Sequence, residues 1–334
     1  MVEHLERMFA ERRLPESQQL SAASALADFA RSDSTRLSRL LCEATAGQYQ
    51  ILYPLVAESA DARTRRLVEK VAAEKPADGF QEGERVALGQ RRAGAAITLL
   101  RQGARDEALA ALRVAQDPEA LSQFVHRCRA RGVRPEALLE CLKAAEALRR
   151  SRAGEERRTE DRVMFGLLLA LGEFTTEEIS AAQREPFVRK LVDWYAHDPS
   201  SAIHGASGWL LRQWKRNKEA QQVDRTAVPY DPKREWFTLE IRAKSKGILG
   251  TILGSQEPAL YLTFVVMPPG EFLMGSREDE TNRQDDEQLH QARLMHPIAV
   301  SDREITWAQF DPFDGGVHRE LWQRKFKREL PPQG

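Results

Sequence analysis

The sequence predicts a mainly α-helical protein that ends in a partial α+β domain. Up to about residue 217, short segments with apolar residues three and four positions apart alternate with polar turns, a pattern typical of amphipathic helices packed on one another. After about residue 260, apolar runs rich in β-branched and aromatic residues replace this pattern and indicate strands. A chain of 334 residues is long enough for two such domains.

Predicted helix ends divide residues 1–217 into pairs of helices. Gly103 and Gly132 each follow a helical segment, at the position where a left-handed residue ends a helix. Asp-Pro dipeptides at 117–118 and 198–199 each precede a helix, and we expect the Asp to cap it and the Pro to occupy its first turn. The charged stretch 151–162 is interpreted as a turn between pairs.

The recurring helix pairs resemble HEAT-type repeats. One pair cannot bury its own apolar face, and stacking of neighbouring pairs buries it. We therefore predict HEAT-like helical repeats over residues 1–217 and expect a protein partner to bind through them. An irregular helical bundle is the alternative.

The composition, the N-terminus and the apolar runs argue against several classes of function. Fifty Lys and Arg residues balance fifty Asp and Glu residues, so no basic excess favours nucleic-acid binding. The first twenty residues carry acids and lack the apolar core of a signal peptide. The apolar run 163–172 is shorter than the roughly 18 residues that a membrane span needs. We expect a cytoplasmic protein that binds neither nucleic acid nor membranes.

Few residues of the helical region are candidates for catalysis or metal binding. The three cysteines, Cys42, Cys128 and Cys141, lie in amphipathic segments and form no Cys-x-x-Cys pair, so we interpret them as buried apolar side chains. His204 lies among small residues and is interpreted as a packed, hydrogen-bonded histidine rather than a metal ligand.

Residues 218–260 are predicted to hold a linker and the first strands, and residues 261–334 a separate domain. The stretch 264–276 is predicted to form a β-hairpin around a tight Pro-Pro-Gly turn at 268–270. An acidic loop follows, then a strand, a turn and a helix with Thr306 as its N-cap.

Three short motifs in this domain, taken in order, resemble the opening of the formylglycine-generating enzyme, or sulfatase-modifying factor, family. The first is Phe-x-Met-Gly-Ser, the second a Glu and His element with Leu289 in place of the usual proline, and the third Glu-Val-Thr with Ile305 in place of valine. The matching residues are Phe272, Met274, Gly275, Ser276, Glu287, His290, Glu304 and Thr306. The resemblance implies a C-type-lectin-like α+β fold, of which residues 261–334 supply only the N-terminal part.

We interpret the matching residues as structural. Met274 is expected to contact an apolar core, Gly275 to occupy a permissive backbone site and Ser276 to cap a turn. The acids of the following loop, Asp279 and Glu280 among them, are interpreted as solvated rather than as calcium ligands.

The resemblance implies a chemistry that this chain lacks the residues to perform. The family uses copper, held by a cysteine pair, to oxidise a protein cysteine to formylglycine, and no cysteine follows Cys141 here. We therefore expect no catalytic residue, no metal and no cofactor in this chain, and a role in protein binding. The alternative is an N-terminal fragment of a longer formylglycine-generating oxidase, a type that in large bacterial multidomain proteins sometimes accompanies a serine/threonine kinase domain.

Overall fold

The chain forms two compact units. The computed structural model describes residues 1–58, 62–77, 81–113, 118–241, 259–278, 280, 282–314 and 317–326. Residues 1–187 and 277–283 make the first unit, and residues 188–276 and 284–334 make the second. The described residues are mainly helical with a small antiparallel sheet part, which confirms the predicted fold class at that level. No helix within the described ranges has the length and apolarity to cross a membrane.

The described elements of the first unit are helices, and the longest of them, α6, packs against α3, α5, α7 and α8. Its helices are α1 Val2–Ala10, α2 Glu16–Phe29, α3 Ser34–Glu43, α4 Ala46–Glu58, α5 Ala62–Ala72, α6 Glu82–Arg101, α7 Arg105–Leu112, α8 Glu119–Arg127, α9 Pro135–Ser151 and α10 Gly154–Gly172, followed by a 3₁₀ turn at Thr176–Glu178. The next helix, α11 (Ala181–His197), contains the boundary between the units. The HEAT-like arrangement of these helices stays a prediction.

The two glycines predicted to end helices do so. Gly103 and Gly132 both have a φ of +79°, which only glycine adopts without strain. After α6, the Gly103 N–H donates to Leu100 O at 3.1 Å and the Ala104 N–H to Leu99 O at 2.9 Å. These paired bonds satisfy carbonyls that the helix itself leaves open.

The charged stretch 151–162 is mostly helix, so the prediction of a turn is wrong. Helix α9 ends at Ser151 and α10 begins at Gly154. Glu160 is fully buried and accepts hydrogen bonds from Arg113 at 2.8 and 3.2 Å and from Arg152 at 2.6 Å. Arg and Glu are good helix formers, and pairing offsets the cost of burying the carboxylate. A run of charges can therefore lie on the inner face of a helix.

The second unit joins several helices to two small antiparallel sheets. After α11 come α12 Ser201–Gln213, α13 Asn217–Asp224, β1 Trp236–Ile241, β2 Leu260–Met267, β3 Gly270–Met274, β4 His290–Leu294, β5 Ile298–Ser301, α14 Trp307–Asp314 and α15 Val317–Phe326. Strands β1, β2 and β5 form one sheet in that order, and β3 pairs with β4 in a separate ribbon. The predicted linker and first strands, 218–260, contain α13 and β1, and residues 242–258 lie outside the described part.

The predicted hairpin across 264–276 is wrong. Strand β2 pairs with β1 and β5, whereas β3 pairs with β4, so the two apolar runs on either side of Pro268 belong to different sheets. Two successive prolines withdraw two backbone donors at the point where the chain leaves β2. The turn therefore redirects the chain instead of folding it back on itself.

A helix follows each Asp-Pro dipeptide, but the predicted cap and first-turn positions are wrong where the structure describes them. Helix α12 begins at Ser201, and Asp198 accepts a hydrogen bond from the Ser200 N–H at 2.9 Å, so Asp198 forms a turn just before the helix rather than its cap. Pro118 is the N-cap of α8 rather than a first-turn residue, and Asp117 lies outside the described residues.

Gly94 on α6 lies where another helix of the first unit approaches closely. A Cβ at this position would lie 2.0 Å from Cys42 O at the end of α3 and 2.7 Å from Arg131 Nη1. We expect Gly94→Ala to destabilise the first unit by about 1–3 kcal/mol, because backbone cannot move aside as a flexible side chain can. Chemical unfolding followed by far-UV circular dichroism measures the loss.

Gly83, in the first turn of the same helix, supplies the control. An added Cβ there has nothing within 4 Å, so Gly83→Ala is expected to leave stability unchanged or to raise it by up to about 1 kcal/mol. Equal stability of the two variants would show that α3 and α6 do not approach as described.

Candidate functional site

Residues from two of the three family-like motifs meet at one end of the β3–β4 ribbon. Met274 stands opposite His290 in the strand register. Beyond this pair, Ser276 Oγ donates to Glu287 Oε2 at 2.8 Å, and the Ser276 N–H donates to Glu287 O at 3.0 Å. The structure therefore brings together residues that are eleven to sixteen positions apart in the chain.

The backbone explains the glycine of the first motif. Gly275 has a φ of +102°, and a Cβ there would lie 2.3 Å from Gln288 O. This agrees with the expected permissive site, since both the backbone angle and the close approach require glycine. Ser276 is buried and ties the turn to Glu287, in keeping with its expected capping role.

The expected core contact of Met274 is wrong. Met274 is 54% exposed, and Phe272 and Leu273 beside it are also exposed. Both faces of β3 therefore lack a covering layer within the described part of the chain. Side chains that alternate along a strand point to opposite faces, so no shift of register would bury all three.

The third motif forms a helix start. Thr306 caps α14: its Oγ1 accepts from the Gln309 N–H at 3.3 Å, and its own N–H donates to Gln309 Oε1 at 3.0 Å. The predicted N-cap is confirmed. Glu304 is exposed, and within the described residues no hydrogen bond or ion pair joins Glu304 or Thr306 to the ribbon.

A polar network that the motifs did not predict lies between the helices and the three-stranded sheet. Asp224 accepts from Arg212 at 2.7 and 2.8 Å and also from the Tyr195 hydroxyl. Arg303, which follows β5, donates to the Tyr195 hydroxyl at 3.3 Å and to Asp302 at 2.7 Å. Burial and then the Asp224 carboxylate raise the pKa of Tyr195, and the bond to Asp302 raises the pKa of Arg303. These charges are mutually compensated, so the network holds the sheet to the helices.

His204 and Trp236 complete this contact. The two rings stack with centroids 3.7 Å apart, and Trp236 Nε1 donates to Asp198 O at 2.7 Å. His204 Nδ1 lies 2.7 Å from Tyr195 O and must carry the proton, because a carbonyl only accepts. The prediction of a packed, hydrogen-bonded histidine is confirmed.

A groove of about 790 Å³ lies beside the network. Its walls come from α13, from β2, from the end of β5 and from Gln309 of α14. Asp224, Asp302 and Arg303 line it, but their charges are already paired. The groove therefore offers shape and hydrogen bonding rather than an activated nucleophile or base.

The cysteines do not fit the copper chemistry that the resemblance implies. All three are free and buried in the first unit, as predicted. Burial raises the pKa of each thiol to about 12, whereas the thiolate is the form that binds metal. No group of three metal-binding side chains occurs among the described residues.

Sequence reasoning missed the network because its members are scattered. Asp224 and Arg212 lie on different helices, and Arg303 follows a strand. The one sequence signal for this site is that Asp302 and Arg303 directly precede Glu304, the first residue of the third motif.

Comparisons with protein-family models, with curated proteins and with solved structures find no match to this chain.

His204 makes the stability of the second unit depend on pH. Burial lowers its pKa from 6.5 to about 4, since protonation of Nε2, which has no hydrogen-bond partner in the described part of the chain, would bury a charge. In the unfolded state His204 becomes protonated below pH 6.5, whereas in the folded state it becomes protonated only near pH 4. Stability is therefore full above pH 6.5 and falls as pH drops toward 4, by up to about 3 kcal/mol.

Tryptophan fluorescence during urea unfolding measures this effect, because all six tryptophans lie in residues 194–322. We expect His204→Gln to remove most of the pH dependence between pH 6.5 and 4. The exposed His197, as His197→Gln, is the control and should leave it unchanged. Identical pH profiles for the wild type and His204→Gln would contradict the burial of a neutral imidazole.

Proposed function

We propose that this chain is a cytoplasmic protein-binding protein, in which a HEAT-like helical scaffold carries part of a sulfatase-modifying-factor-type domain that does not catalyse. We expected the partner to bind through residues 1–217, and we now propose that the sulfatase-modifying-factor-type domain binds it instead. The observation that carries the proposal is the uneven distribution of exposed apolar side chains. Of the seventeen large apolar residues that are exposed in the described part of the chain, two lie in the first unit and fifteen in the second.

Five of these exposed residues lie on strands β3 and β5. We call the set formed by Phe272, Leu273, Met274, Ile298 and Val300 the apolar strand surface. Ile298 stands opposite Met267 at the end of β2, three residues before β3 begins, so the ribbon leaves the sheet at this end. Apolar side chains exposed in such numbers on strands are typical of protein interfaces.

The register shows why part of this surface is uncovered. Val300 stands opposite Val265, which stands opposite Trp236, so all three side chains share one face of the sheet. Trp236 is buried against His204, whereas Val300 is 48% exposed. The helices therefore cover only the β1 side of this face, and a partner would extend the same layer over β5.

A second copy of the chain is the occupant that we propose, and the net charge permits it. The net charge is zero, so two copies do not repel each other at long range. Strand β5 is an edge of its sheet in the described residues, and a free edge supplies backbone groups for strand pairing.

A binding role fits the motif residues better than catalysis does. Gly275, Ser276 and Glu287 shape a turn, and Thr306 caps a helix. None of these contacts leaves a side chain poised to attack or to transfer a proton.

The first test concerns self-association. Sedimentation velocity of the full chain should show an oligomer that forms as protein concentration rises. Leu273→Glu, which places a charge on a side chain that is 69% exposed in the monomer, should weaken association about tenfold or more, because a buried leucine would be lost from the interface.

Phe29→Glu is the matched control, since Phe29 is similarly exposed but lies in the first unit. It should associate as the wild type does. A wild-type chain that stays monomeric at every concentration, or equal effects of the two variants, would contradict the proposed occupant.

The second test concerns catalysis. Under reducing conditions the native chain should take up copper(I) only weakly, because its thiols are buried and protonated. Copper(I) titration against a chelating indicator measures this. Tight stoichiometric binding that Cys128→Ser or Cys141→Ser abolishes would overturn the non-catalytic assignment.

A further inference from the structure

A cavity of about 420 Å³ in the first unit is lined by three arginines. It lies where the turn after α1, the start of α4 and the end of α8 come together. Arg12, Arg127 and Arg131 contribute to its wall together with His126, and no Asp or Glu of the described residues lines it. The cavity belongs entirely to the first unit and is independent of the apolar strand surface.

Two of the arginines are held in place by backbone carbonyls. Arg12 donates to Glu43 O at 2.6 Å and to Gln48 Oε1 at 3.3 Å. Arg131, which is almost fully buried, donates to Ala44 O. Both side chains are therefore hydrogen-bonded to the backbone where α3 ends and the connection to α4 begins. These bonds fix their positions without a ligand.

Arg127 is different, because it has no hydrogen bond or ion pair to any other described residue. Its side chain is half-buried, and Glu119 offsets its charge only at longer range. A half-buried guanidinium without a partner leaves five N–H donors unused by the protein.

The three charges disfavour one another. Burial, and next to it the charge of Arg12, lower the pKa of Arg127. Burial, and next to it the charge of Arg127, lower the pKa of Arg131 to about 10. Glu43 raises the pKa of Arg12, but desolvation outweighs it. The carboxylates nearby therefore do not neutralise the cluster, and an anion in the cavity would.

The N-terminus of α4 adds to the positive electrostatic potential in the cavity. Thr45 and Ala46 line the cavity, and the thirteen-residue helix α4 begins at Ala46. A helix carries a partial positive charge at its N-terminus. The dipole and the three guanidinium groups therefore favour the same sign of ligand.

We propose that this cavity binds a small anion that carries a phosphate group. Its volume lies within the range of small-molecule sites. Guanidinium groups bind phosphate oxygens in pairs of parallel hydrogen bonds, and a doubly charged phosphate with three free oxygens can engage several of them at once. A single carboxylate has too few oxygens and too little charge to satisfy the cluster.

Isothermal titration calorimetry of the full chain at constant ionic strength tests the proposal. The probes are inorganic phosphate, glycerol phosphate and acetate. We expect saturable binding of a phosphate probe at one site and much weaker binding of acetate. Tighter binding of glycerol phosphate would assign the site to a phosphorylated small molecule, and tighter binding of inorganic phosphate would assign it to the free ion.

The decisive variant is Arg127→Gln, because this side chain has no structural hydrogen bond to lose in the described part of the chain. It should weaken phosphate binding about tenfold or more and leave the helical circular dichroism spectrum unchanged. Arg12→Gln, at a second wall of the cavity, should also weaken it. Arg158→Gln removes the same charge from an exposed ion pair with Glu155 on α10 and should bind as the wild type does.

Three results would overturn the proposal. They are the absence of saturable phosphate binding, equal affinity for acetate and phosphate, and unchanged phosphate affinity in Arg127→Gln.

Discussion

Carbonyl groups at the ends of buried helices need hydrogen-bond donors from elsewhere in the chain, and this need organises both units. A helix leaves its last carbonyls without partners, and burying them unpaired is costly. In the first unit, Arg92 donates to Ala72 O at the end of α5 and to Ala111 O near the end of α7, while Arg131 donates to Ala44 O after α3. Each bond spans nineteen or more residues of sequence. Two buried arginines thereby hold the ends of three helices around α6.

The second unit meets the same need with aromatic side chains. Trp236, the first residue of β1, donates to Asp198 O just after α11, and His204 of α12 donates to Tyr195 O in the last turn of α11. The sheet is attached to the helices at the point where α11 ends. Because an indole and a neutral imidazole satisfy these carbonyls, the contact can be buried without a charge.

In the first unit, arginines that donate to helix-end carbonyls also bring positive charge into the interior. A guanidinium brought inside to serve a carbonyl carries its charge with it, and Arg131 does so at the edge of a cavity that Arg12 and Arg127 also line. Two of the three arginines of the proposed phosphate site, Arg12 and Arg131, therefore also stabilise the fold through hydrogen bonds to backbone carbonyls. In the second unit the opposite holds: the charges are paired, as between Arg212 and Asp224, and the uncovered groups are apolar. The two units therefore offer different ligand chemistries.

The sequence by itself determined the elements whose causes are local. The mainly helical first part, the glycine ends at Gly103 and Gly132, the cap at Thr306 and the burial of the cysteines all follow from residue types at short spacing. Only the tertiary structure decided the rest, because it depends on which distant segments meet. Strand pairing sent the two apolar runs around Pro268 into different sheets, although the local pattern favoured one hairpin. The helical placement of Glu160 turned a charged stretch into a buried ion-pair network. The arginine-lined cavity likewise joins residues more than a hundred positions apart, which no spacing rule connects.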